Sequence, residues 1–137
     1  MTRYEILAHT ADTGIVAQGS TPEEVFENAA FGLFDITFDL ATIAASQERR
    51  IEAEGQDLGE LLVAWLSELL ASAEIDDLVF ASFRVAELGE GRIVGIASGS
   101  TVEGIELAGP PVKAVTYHDL EVVEVAGGWR ARVIFDV

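Results

Sequence analysis

The chain has 137 residues, half of them hydrophobic, and its 24 acidic against 8 basic side chains give a formal charge of −16. That size predicts one domain, residues 1–137, with a core of its own, and the absence of cysteine excludes a disulfide framework or a thiolate metal site. So acidic a chain is not expected to bind nucleic acid directly, because a phosphate backbone is met with Lys and Arg; a hard cation or a basic protein surface suits it better.

Residues 4–7 and 14–19 are β-compatible and flank the polar segment His9-Thr10-Ala11-Asp12-Thr13, which reads as strand, loop, strand. The first five residues lack the basic start and apolar stretch of a signal peptide, so a cytoplasmic location is expected. Thr21 then offers a helix cap, with Pro22 at the first helical position and Glu24 placed for a capping box. Val25, Phe26, Ala29, Ala30, Leu33 and Phe34 form one apolar stripe, and the helix is expected to fray over 35–39. Residues 47–54 alternate as a half-buried strand before Gly55. A second helix starts from Asp57, with Glu60 three residues on, and its broad leucine face includes Trp65, which reads as core. Its apolar run, 61–73, is interrupted by Ser67 and Glu68, and no membrane span is expected.

The second half is predicted to be mainly antiparallel sheet, with strands at 79–86, 92–98, 112–125 and 129–137. Gly127-Gly128 can supply positive φ angles for a terminal hairpin, and Gly109-Pro110-Pro111 marks the least regular connection. Two helices set against an antiparallel or mixed sheet make an α+β fold.

Asp12, in a polar loop, and Asp136, in the run Val133-Ile134-Phe135-Asp136-Val137, are candidate ligands for a hard cation such as calcium. An acid inside an apolar strand is costly to bury unless paired, protonated or metal-bound, and the carboxylate of Val137 lies beside it. If the last strand runs beside the first, these oxygens converge. The competing reading has Asp136 solvated and Asp12 closing a turn. His9 and His118 are the only histidines and either could be a ligand or proton donor, although a structural role in turn hydrogen bonds is the stronger reading, and Asp119 beside His118 equally fits a polar strand face. There is no cysteine nucleophile, no Gly-x-Ser-x-Gly elbow, no Gly-Lys-Thr/Ser phosphate loop and no Gly-x-Gly-x-x-Gly fingerprint.

The segments His9-Thr10-Ala11-Asp12, Thr21-Pro22-Glu23-Glu24-Val25-Phe26-Glu27-Asn28-Ala29-Ala30, Leu61-Leu62-Val63-Ala64-Trp65-Leu66-Ser67-Glu68-Leu69-Leu70 and Val112-Lys113-Ala114-Val115-Thr116-Tyr117-His118-Asp119-Leu120-Glu121, with the ending Ala131-Arg132-Val133-Ile134-Phe135-Asp136-Val137, together resemble the archease family over nearly the whole chain. The resemblance implies a strand-helix-strand-strand arrangement and a non-enzymatic helper of an RtcB-type RNA ligase. Such a helper promotes guanylylation of the ligase and multiple turnover in tRNA splicing and RNA repair. It further implies a divalent cation, typically calcium, held by Asp12, Asp136 and Val137, with His9, Thr10, His118 and Asp119 as outer or partner contacts. One departure is Ala64, where many relatives carry an acid. The alternative is a general protein-binding, chaperone-like module with a structural metal. A third reading is a metal-dependent hydrolase using His9 or His118, for which no activated nucleophile is evident.

Overall fold

In the computed structural model, which describes residues 2–7 and 13–137, capping chemistry sets both helices. Helix α1 (Pro22–Asp35) starts where Thr21 Oγ1 accepts the N–H of Glu24, and α2 (Leu58–Asp76) where Asp57 Oδ1 accepts that of Glu60. In both, the glutamate reaches back to the N–H of the residue before the cap, Ser20 or Gln56, rather than to the cap itself. The expected fraying of the first helix is met by its end at Asp35. Helix α2 ends on Asp77, whose left-handed backbone (φ 53°) turns the chain straight into the next strand.

The helices join two antiparallel sheets. Strands β1 (Tyr4–Leu7), β2 (Thr13–Gly19), β6 (Ala114–Val115), β7 (Glu121–Val125) and β8 (Gly128–Asp136) make a five-stranded sheet in which β8 pairs with β2 on one flank and with β6 and β7 on the other. Strands β3 (Gln47–Glu54), β4 (Leu78–Gly89) and β5 (Arg92–Thr101) make a three-stranded sheet in the order β3-β5-β4. The α+β expectation holds, and the strand-helix-strand-strand unit is β3-α2-β4-β5. Two sheets are present where one was expected, with the five-stranded sheet formed from both ends of the sequence.

Helix α1 packs on β2 and β8 of one sheet and β4 of the other, and α2 covers β3, β4 and β5 while reaching β6 and β7. One apolar cluster therefore runs between the sheets, with Trp65, Phe26, Phe80 and Phe135 fully buried. Trp65 is core, as expected, and its Nε1–H donates to the Phe26 carbonyl at 3.1 Å. A Cβ on Gly95 of β5 would lie 2.4 Å from the Trp65 ring, so that strand needs a glycine where the indole crosses it.

Two departures concern strands. The run 112–125 is not one strand, because residues 116–120 loop out between β6 and β7, and Asp119 takes a left-handed conformation (φ 52°). In the terminal hairpin only Gly127 has positive φ (81°); Gly128 is required instead because a Cβ there would lie 2.3 Å from the Gly19 carbonyl oxygen. Among the described residues no helix is long and apolar enough to cross a membrane.

Candidate metal centre

The candidate site lies at the end of β8. Strand alternation turns Ala131, Val133 and Phe135 into the core, leaving Ile134 and Asp136 on the opposite face. Asp136 is exposed, as the competing solvated reading expected, so its carboxylate bears no burial cost of the kind that forces pairing. The last strand runs beside the second rather than the first: Thr13 pairs with Phe135, and Val115 pairs with Phe135 from the other flank.

The Lys113 N–H donates to the Asp136 carbonyl at 2.7 Å, and the side-chain carboxylate stays exposed. Among the described residues, no ion pair engages that carboxylate. On the same face Ile134 lies over Gly14, where a Cβ would stand 2.5 Å from Ile134 Cδ1 and 3.0 Å from Leu7 Cδ1. The bare Gly14 thus lets two apolar side chains close over the sheet next to Asp136. Val137 is half-buried and packs against the core.

His9, Thr10 and Asp12 lie outside the described residues. His118 and Asp119 are brought together on the 116–120 loop, with His118 Nε2 3.4 Å from Asp119 Oδ2. Both side chains are exposed, so the contact is an ion pair only when the imidazole is protonated and is screened by solvent. Asp119 therefore belongs to a turn and not to a strand face, and its carbonyl accepts from Arg132 Nε at 3.0 Å. Among the described residues no three or more His, Cys, Asp or Glu side chains form a group able to hold a metal. Ala64 is half-buried on α2 and brings no oxygen. The donors the chain end offers are hard oxygens, which fit calcium or magnesium rather than a soft ion.

Three polar contacts escaped the sequence reading. Tyr4 Oη donates to Asp35 Oδ2 at 2.9 Å; burial first, then that hydrogen bond and the carboxylate's charge, push the phenol well above its ordinary range. Glu27 Oε2 accepts the Val85 N–H at 2.8 Å beside a register shift in β4, giving a partner to an amide at the irregularity. The Arg3 guanidinium stands 4.1 Å from the Phe31 ring centroid. The partners in the first two are 31 and 58 residues apart, and no local pattern could have linked them.

Residues 4–137 match the Archease protein family (MTH1598/TM1083). The chain is 43% identical over 143 aligned positions to the archease of Methanosarcina mazei, covering 98% of this chain and 96% of that protein. The solution structure of protein 1598 from Methanobacterium thermoautotrophicum superposes with a TM-score of 0.88 at 38% identity over the full length of both chains. A Thermotoga maritima archease, described as a possible chaperone, shares the fold at a TM-score of 0.64 and 17% identity, over 97% of this chain and 96% of that one.

Proposed function

The chain belongs to the archease family, and on that premise we propose that it is a metal-binding accessory factor of an RtcB-type RNA ligase. In this reading it has no turnover of its own, works in the cytoplasm, and promotes guanylylation and repeated turnover of the ligase in tRNA splicing and RNA repair. Asp12, Asp136 and the Val137 carboxylate would hold a divalent cation, calcium by donor chemistry. When bound, such an ion supplies positive charge where phosphate charge develops during nucleotide transfer. The acidic surface around it, from a chain of net charge −16, steers the protein to a basic partner surface rather than to RNA. His9, Thr10, His118 and Asp119 are candidates for contacts around the ion or with the ligase.

One observation carries the metal reading: Thr13, the residue after Asp12, pairs with Phe135, the residue before Asp136. The test combines the purified protein with an RtcB-type ligase, GTP and a broken RNA, and measures ligase guanylylation and joining beyond one turnover. Stimulation is expected from the parent chain and not from Asp12→Ala or Asp136→Asn. Full stimulation by a folded Asp12→Ala chain would refute the role given to the ion. Stimulation that survives removal of metal would favour a general protein-binding module with a structural ion.

A further inference from the structure

The last turn of α2 runs against its own dipole. It carries Glu74 and Asp76, contains no basic residue, and passes to Asp77 at the cap, although a helix C-terminus favours cations. Arg49 meets Asp76 at 2.9 Å, but among the described residues no ion pair reaches Glu74 or Asp77. Against this helix end lies an open cavity of about 440 Å³, walled by Leu33 and Phe34 from the end of α1, Phe38 three residues beyond it, Leu70 and Ala73 from α2, and Val112. Exposed Glu74, Asp77 and Lys113 stand at its mouth.

Apolar surface continues past the cavity onto the 102–113 connection, where Val102 and Leu107 are 38% and 60% exposed. Val102 is held beside the helix end by its N–H, which donates to the Asp77 carbonyl at 2.9 Å, and the neighbouring Ala108 N–H donates to the Thr37 carbonyl at 2.7 Å. Glu103 and Glu106 add acid to the same connection.

We propose that this surface docks a basic amphipathic segment of a protein partner, whose apolar side chains enter the cavity while its Lys or Arg groups meet Glu74, Asp77 and the end of α2. Charge selects the occupant. An RNA or an anionic bilayer would be repelled by the acidic rim, and a small ligand filling the cavity would leave Leu107 uncovered. The inference goes beyond the metal reading: the surface is made by α2, the end of α1 and residues 102–113, and its Lys113 N–H donates to the Asp136 carbonyl at the end of β8.

The probe is a synthetic peptide of leucine and lysine with leucines spaced i, i+3, i+4 and i+7, compared with one in which glutamate replaces every lysine. Calorimetry is expected to detect binding of the lysine peptide alone, and amide shifts in the parent chain should concentrate in residues 70–78 and 102–113. Glu74→Gln combined with Asp77→Asn should weaken binding about tenfold, since each carboxylate contributes one charge contact; asparagine tolerates the left-handed backbone at position 77. Val102→Ser with Leu107→Ser, both at exposed positions, should weaken it comparably. Equal binding of the two peptides, shifts centred elsewhere, no binding, or insensitivity to both double variants would overturn the proposal.

Discussion

In the three-stranded sheet each strand is continuous, β4 with two register shifts against β5, and α2 lies across its inner face, whereas in the five-stranded sheet one flank of β8 is shared by two short strands with residues 116–120 looping out between them. The first sheet is where large side chains interlock: Trp65 lies over Gly95, and Phe80 makes an edge contact with Phe34 at 5.7 Å between centroids. The second leaves polar groups on view at the end of β8, where Asp136 faces solvent, and on the loop that carries His118 and Asp119. Stability should therefore be most sensitive in one sheet and function in the other. Trp65→Ala tests the first half of that statement with the largest expected effect. Removing a fully buried indole costs about 3–5 kcal/mol, and here also removes the N–H it donates to the Phe26 carbonyl. Asp136→Asn, at an exposed position, should stay within about 0.5 kcal/mol of the parent in urea unfolding. Comparable losses for the two would erase the distinction between the sheets.

The second half of the comparison turns on metal. An ion that binds only the folded chain stabilises it by about 2.7 kcal/mol at a hundredfold excess over its dissociation constant. Calcium titrated into the apo protein should therefore raise the thermal midpoint, and chelator should reverse the rise. Asp136→Asn should flatten the response while leaving the metal-free midpoint in place. A calcium response equal in parent and Asp136→Asn chains would remove Asp136 from the ligand set.

What the sequence made legible divides along the same line. Helix starts were readable because Thr21 and Asp57 cap through contacts only three residues long, and β3 because its alternation is unbroken from Gln47 to Glu54. The break in the run 112–125 was not. Lys113 to His118 keep the composition of a strand, and what turns the chain out is a left-handed Asp119, a single backbone choice that composition does not announce. The same limit applies to the candidate site. Asp136 was visible as an acid among apolar residues, but its exposure depends on which face of β8 the pairing with β2 selects, and so does its distance from the start of β2. The paired carboxylate contacts of Asp35 and Glu27 were invisible for a simpler reason, since each joins elements that meet only after folding.

A smaller effect probes how the two sheets are tied together. Glu27 projects from α1, which packs on the five-stranded sheet, and accepts the Val85 N–H of β4 in the three-stranded one. Glu27→Ala strands that part-buried amide and should cost about 1–3 kcal/mol. Amide exchange should speed up at Val85 while protection near Trp65 is kept. Uniform loss of protection over both sheets would mean that the contact holds the whole core rather than one seam.

The smallest effect belongs to Tyr4, which ties the β1 edge of the five-stranded sheet to the end of α1 through Asp35. At neutral pH, Tyr4→Phe removes one hydrogen bond and should cost about 0.5–1.5 kcal/mol. Its pH signature is more telling. The folded phenol titrates above the ordinary value of 10.0, so the unfolded chain releases this proton first. The contribution is fully present below that value and is lost as pH rises from there toward the folded pKa. The parent chain should thus lose stability on alkaline titration more steeply than Tyr4→Phe, so the gap between them narrows as pH climbs. Parallel alkaline curves for the two chains would mean that the phenol is equally free to ionise in the folded and unfolded states, and that Asp35 does not hold it.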